Sequence, residues 1–493
     1  MPAYVGDRAT PSFDLFSNEL NDTRGRRIAR GNKDTIDWFV GPDGQEIARV
    51  DFNGASEKYE IFHYDGRRAS RIYLETDVKT VPISLVGLTA EGDGLYFIDT
   101  ANQGDGFDTL FKLNFDGTIT ETDIGRSDAE IDRVYLDDNR VLRGLRYFGP
   151  LPSYRFFDAD LQNTFDKMMA ARPGAMISIL TWSDDHSKIL IRLFDGSSVD
   201  RFAIWDAETE TIGMLTSSRS DIAPENIGGV YAINYTARDG LNIPAIVTLP
   251  PGHDFDSKDL PAIVLPHGGP ASYDSIDFDW QAQYFAAMGY VVLQPNFRGS
   301  TGFGADYQAA GNGEWGLAMQ DDITDGAEGL IGMGLIDRER ICIVGGSYGG
   351  YAALAGGAFT PDLYRCIVSV AGVSDLDEML DQVRRESSRR TGRTNYWVRS
   401  ISDGDRSEDR LDTVSPSKHA DAFTAPVLLI HGRDDTVVPI RQSEIMSRAL
   451  QRANKNVEFI KLNGENHWLS SSETRLATLQ AIDRFLREHN PAN

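Results

Sequence analysis

The sequence predicts an all-β domain followed by an α/β domain on a doubly wound, mostly parallel sheet. Three observations predict it. Up to about residue 225, short strand-like runs alternate with Asp-Gly and Gly-Asp turns. From about residue 228, apolar runs alternate with amphipathic helical stretches. Within that second region, a serine stands between a strand-like run and a helix-like one. At 493 residues the chain is long enough for two or three domains, each with its own core.

In the first region, Trp38-Phe39-Val40 runs into the turn Gly41-Pro42-Asp43-Gly44, and Leu95-Tyr96-Phe97-Ile98 follows Gly92-Asp93-Gly94. Leu110 to Leu113 precedes Asp116-Gly117, and further runs lie at Ile177–Leu180, Lys188–Arg192 and Phe202–Trp205. Such spacing predicts short antiparallel strands. A loose recurrence of about 40 to 45 residues suggests the blades of a β-propeller rather than an irregular sandwich, with room for about five. We therefore assign residues 1–225 to a propeller-like domain and 226–493 to the α/β domain.

In the second region the strands are continuous apolar runs: Ala262–Leu265, Val291–Leu293, Ile341–Val344, Cys366–Val370 and Val427–Ile430. Helical segments such as Asp322 to Met333 and Ser443 to Ala453 separate them. Parallel strands buried on both faces read this way, and reactive groups collect at their carboxyl ends.

Gly345-Gly346-Ser347-Tyr348-Gly349 follows the strand-like Ile341–Val344 and precedes the small-residue run Gly350 to Ala355. A strand, a sharp turn and a helix with serine at the apex form the nucleophile elbow of an α/β-hydrolase. A serine hydroxyl needs a base, and the base an orienting acid, in the order Ser, Asp or Glu, His. Four histidines follow Ser347. His489 lies near the end of a terminal helix; no strand-end acid precedes His419 or His431. His467 sits between the strand-like Val457–Ile460 and the last helix, as a base must. The acid should follow the strand ending at Ile430, where Asp434 and Asp435 are both candidates. An oxyanion needs two donors. One is the backbone N–H of Tyr348, and the second should come from the loop Pro266-His267-Gly268-Gly269-Pro270.

Together these motifs resemble the prolyl oligopeptidase family of serine peptidases. The resemblance rests on His267-Gly268-Gly269-Pro270, on Asn296-Phe297-Arg298-Gly299-Ser300-Thr301-Gly302-Phe303-Gly304, on Gly345 to Tyr351, on His431 to Pro439 and on Glu465-Asn466-His467. It also takes in Tyr235 to Gly240, and the tyrosine after the serine points to the acylaminoacyl-peptidase and dipeptidyl-peptidase branch. The resemblance implies a triad of Ser347, Asp435 and His467, oxyanion donors at Tyr348 and Gly269, and a propeller that shields the site. Family propellers commonly have seven or eight blades. Room for about five implies either a start truncated relative to relatives or a short propeller, whose open edge would favour a homo-oligomer.

The resemblance also implies that the stretch from Asp375 to Ser400 helps to form the substrate pocket, with Met379, Leu380, Tyr396 and Trp397 as apolar candidates. Arg384, Arg385, Arg389, Arg390 and Arg393 form a basic cluster there, read as a solvated helix face rather than an anchor for a substrate carboxylate.

Composition excludes other classes. A net charge of −25 repels nucleic acids and anionic membranes. No apolar run reaches the 18 residues of a membrane span, and no secretory signal reads at the start, which suggests a cytoplasmic protein. Cys342 and Cys366, the two cysteines, read as buried free thiols, and no Cys/His cluster has metal-ligand spacing. No cofactor is expected. The chemistry read from these residues is peptide hydrolysis through an acyl-enzyme. An esterase with the same triad and a catalytically silent binding protein are the alternatives.

Overall fold

The structure, a computed structural model, describes residues 2–6, 11–18, 25–66, 68–78, 81–99, 106–149, 151–386, 393–405 and 407–492. From Pro2 to Ser217 the described residues form five successive antiparallel sheets of three or four strands each, every one a simple meander. This is the repeat of propeller blades, at the number the spacing suggested. Blade strands alternate: Lys188–Phe194 buries Ile189, Ile191, Leu193 and Phe194 and leaves Lys188 exposed. One helix, Ala159–Ala170, interrupts the pattern and was not foreseen. Its signal is present, since Leu161, Phe165 and Met168 fall on one helical face and Asp158 caps its first turn by accepting from Leu161 N.

The second region is built on an eight-stranded sheet. Its strands are β1 (Val230–Thr236), β2 (Asn242–Thr248), β3 (Leu260–Val264), β4 (Val291–Pro295), β5 (Ile336–Gly346), β6 (Cys366–Val370), β7 (Val427–Gly432) and β8 (Val457–Leu462). They lie in the order β1-β2-β4-β3-β5-β6-β7-β8. β1 and β2 are antiparallel to their neighbours, and the pairs from β4 through β8 are all parallel. The reversal of strand order around β3 and β4 is what makes the sheet doubly wound. Helices cover both faces, among them α1 (Ala318–Gly332), α2 (Tyr348–Phe359), α3 (Leu376–Glu386), α4 (Arg393–Ser402), α5 (Arg441–Arg452) and α6 (Ser472–His489). The central strands are consequently buried throughout, and Ile343 on β5 has no exposed surface.

One expectation is corrected here. Cys342 and Cys366 are joined in a disulfide rather than free. They are register partners on β5 and β6, with Cα atoms 4.7 Å apart, inside the range a bridge requires. Two apolar runs in sequence do not reveal that register. Among the described residues no helix is long and apolar enough to cross a membrane, and no cluster of metal-ligating side chains occurs.

Candidate active site

The serine stands where β5 turns into α2. Ser347 has φ +57° and ψ −119°, a left-handed conformation for a residue with a side chain. Such a backbone costs on the order of 1–3 kcal/mol and persists because its surroundings fix it. Its N–H donates to Val370 O at 2.9 Å, and its carbonyl accepts from Tyr351 N at 3.0 Å. The flanking glycines are required by contact. A Cβ on Gly345 would lie 2.2 Å from Gly349 O, and one on Gly349 2.1 Å from Pro266 O. The crowding brings the loop after β3 against the elbow, so that a Cβ on Gly268 would be 3.4 Å from Ser347 Cβ. Gly268 therefore passes beside the serine, and Gly269 follows it with φ +124°. The Tyr348 side chain points away and is buried among Phe297, Trp315 and Tyr351, leaving only its backbone for the site.

The loops after β7 and β8 bring an acid and a base together. Asp435 Oδ2 lies 2.7 Å from His467 Nδ1. Its Oδ1 accepts from Val437 N at 2.8 Å and Val438 N at 2.9 Å, so the carboxylate is fixed from both ends. Burial alone would raise its pKa. Hydrogen bonds from His431 and His467 overcome that and hold the carboxyl well below the usual range. Asp434, the other candidate, is exposed, and its backbone N–H donates to Glu465 O at 3.0 Å. A carboxylate accepting at Nδ1 requires the proton there, which leaves Nε2 of His467 free to accept.

Two residues that the sequence reading named without giving them a supporting role hold this pair in place. His431 has no exposed surface. Its Nε2 is 2.8 Å from Val438 O and 3.3 Å from Asp435 Oδ2, and its Nδ1 is 2.7 Å from Ser443 Oγ. Because Val438 O only accepts, Nε2–H is the donor and Ser443 supplies the hydroxyl proton to Nδ1. Glu465 is also buried and accepts from Asn466 N, Ser470 N, Ser471 N and the Thr474 hydroxyl. These bonds hold its carboxyl below its ordinary pKa against the opposing effect of burial. They also fix the loop that carries His467. The signal was a carboxylate two residues before the histidine with a run of serines after it.

The pocket candidates divide. Met379 and Leu380 pack in the core at 1% exposure each and present no surface to a substrate. Tyr396 is 36% exposed, and Trp397 is half-buried against Trp315. Arg384 and Arg385 are exposed on α3 and pair with Asp381 and Glu378. Arg389 and Arg390 lie outside the described residues, as does the side chain of Arg393.

A serine elbow and a strand-end acid and base on this sheet define an α/β-hydrolase. Residues 276–491 match the family model of the prolyl oligopeptidase family. The chain is 28% identical over 476 residues to dipeptidyl aminopeptidase BIII of Pseudoxanthomonas mexicana, covering 91% of this chain and 63% of that protein. It is also 28% identical over 254 residues to the acylamino-acid-releasing enzyme of Rattus norvegicus, covering 49% of this chain and 33% of that one. The chain thus spans less than two thirds of the length of these relatives. In fold it resembles a Mycobacterium tuberculosis puromycin-hydrolyzing peptidase, with a TM-score of 0.78 at 19% identity, covering 100% of this chain and 77% of that one.

Proposed function

We propose that the chain is a serine peptidase that hydrolyses short peptides through an acyl-enzyme, with residues 226–493 as its catalytic domain and residues 1–225 as the propeller-like domain beside it. The 2.7 Å contact between Asp435 and His467, on the loops after β7 and β8 of the sheet whose β5 leads into the strained Ser347, is the observation that carries the reading. Ser347 Oγ attacks the scissile carbonyl while Nε2 of His467 takes its proton. Asp435 fixes the imidazole tautomer and stabilises the imidazolium. The backbone N–H groups of Tyr348 and Gly269 receive the oxyanion. Collapse breaks the C–N bond, and the imidazolium returns the proton to the leaving amine. Water then repeats the sequence on the ester, and Ser347 is regenerated.

The names of the two relatives support peptide bonds near a substrate's N-terminus as targets, with Tyr396 and Trp397 as apolar pocket residues. A second copy of the chain as partner and a cytoplasmic setting belong to the reading too. The Cys342–Cys366 bridge weighs against that setting, since disulfides persist in oxidising compartments. The test compares kcat/KM for dipeptidyl and acylaminoacyl anilides with kcat/KM for simple esters of the same acyl groups. A peptidase cleaves the anilides with measurable kcat. Turnover of esters alone would replace the reading with the esterase.

A further inference from the structure

The motif Asn296 to Gly304 contributes no group to the proposed chemistry, yet Gly302 and Gly304 lie against the blades. Glu130, which precedes the strand Ile131–Leu136, reaches across to this loop. Its Oε2 accepts from Gly302 N at 2.6 Å and its Oε1 from Gly304 N at 3.1 Å, and the residue is 8% exposed. Ala305 N donates to Gly106 O at 2.6 Å, and a Cβ on Gly302 would lie 2.5 Å from the Phe148 ring. No side chain larger than hydrogen fits Gly302 while the blades hold this position.

From the clamped loop, two contacts run on to the loop beside Ser347. Thr301 N donates to Ser272 O at 3.0 Å. Ser300 Oγ lies 3.0 Å from Nε2 of His267, whose Nδ1 is 2.8 Å from Gly268 O. Burial pushes the His267 imidazole down to about 4, so the ring is neutral at working pH. Its Nδ1–H then donates to Gly268 O, and the single hydroxyl proton of Ser300 is shared between Phe297 O at 2.6 Å and Nε2 at 3.0 Å, which ties the ring to the Asn296–Gly304 loop. The carbonyl of Gly268 is thereby held, and with it the peptide plane that carries the N–H of Gly269.

We infer that Glu130 is a positioning residue for the active site, by which the all-β region sets the loop Gly268–Gly269 through Gly302, Gly304, Ser300 and His267. The inference rests on the peptidase reading above. Asp108, whose carboxylate accepts from Ile131 N at 3.0 Å, is the charged group facing Glu130 from the blades; the catalytic side meets it with backbone N–H groups. Burial first, then the charge of Asp108, push the Glu130 carboxyl up to about 7 against the two N–H bonds. A raised pKa means that its contribution to stability is fully present below the ordinary carboxyl range and lost as pH rises through about 7. At pH 8 the buried charge is therefore a burden on the fold, tolerated at a place where it holds a loop.

Glu130→Gln separates the two roles, because the amide keeps the volume and one acceptor and removes the charge. Activity on a peptide anilide at pH 8 is measured per active site titrated by a fluorophosphonate, so that any misfolded fraction drops out. We expect kcat to fall about tenfold with KM within about threefold, as for an interaction realised in the transition state. We expect the thermal midpoint at pH 8 to be no lower than that of wild type. Glu130→Ala, lacking both acceptors, should lose more kcat than the amide. Hydrogen exchange at residues 299–304 should quicken at least about tenfold in Glu130→Gln. A kcat within twofold of wild type in both variants would overturn the inference, as would a loss of kcat matched by a lowered midpoint and unchanged exchange. Wild-type protein that neither cleaves the anilide nor takes the label would instead sink the peptidase reading itself.

Discussion

The catalytic sheet and the blades bury their residues in different ways, and the contrast explains what each can do. All five residues of β4 and all five of β6 are buried, because helices cover both faces of the sheet. In the last blade strand, Thr211–Ser217, Leu215 is 57% exposed and Met214 49%. A sheet closed on both faces leaves its strand ends as the places where polar side chains can sit, and Ser347, Asp435 and His467 all lie beyond such ends. A blade has a wet edge and a packed interior, which suits it to present loops. Glu130 is one residue so presented. On the proposed reading, the α/β region holds the reacting groups and the blades hold the loop beside them.

This contrast can be broken by stability measurements. Ile343→Ala on β5 should cost about 2–5 kcal/mol in denaturant unfolding, since a side chain with no exposed surface leaves a cavity. Leu215→Ala should stay within about 0.5 kcal/mol of wild type. Equal costs would mean that the blade edge is buried in the working protein, as by a second copy.

A sharper form of the same contrast lies between neighbours. Asp435 is buried and shared by two histidines, whereas Asp434 faces solvent. Asp435→Asn should lose at least about a hundredfold in kcat, because an amide can present the wrong group to Nδ1 of His467. Asp434→Asn should stay within about tenfold. Single-turnover rates of both variants decide it, and reversed losses would move the acid by one residue.

His431 tests how far the support extends. His431→Ala leaves Val438 O and the Ser443 hydroxyl without their partner and removes one of the two histidines that hold Asp435. A loss of about tenfold in kcat and of about 1–3 kcal/mol in stability is expected. Unchanged kinetics would show that Val437 N, Val438 N and His467 hold the carboxylate by themselves. The smallest effect concerns the cysteines. In denaturant without reductant, thiol titration should find none, and two after reduction.

Much of this was legible in the sequence because it was written locally. Continuous apolar runs marked β5, β6 and β7, and the strand, turn and helix around Ser347 marked the elbow, since these elements follow one another within a few residues. The choice between Asp434 and Asp435 was not local. It depends on which carboxylate the loop turns toward His467, 32 residues away, and only the family resemblance pointed to one of them. The Cys342–Cys366 bridge depends on the register of two strands, which runs of apolar residues leave unspecified. Glu130 was invisible for a similar reason. Its partners are backbone N–H groups 172 and 174 residues away, which carry no side-chain signature.

The central claim is that Ser347 is the nucleophile of an acyl-transfer site completed by His467 and Asp435. Its most direct test is covalent labelling with a fluorophosphonate, followed by mass spectrometry of the intact chain and of its peptides. One label per chain is predicted, on the peptide containing Ser347. Ser347→Ala should take none while losing several orders of magnitude in kcat, about 10⁶ in serine proteases stripped of the nucleophile. A label on any other residue, or near-normal turnover by Ser347→Ala, would contradict the account.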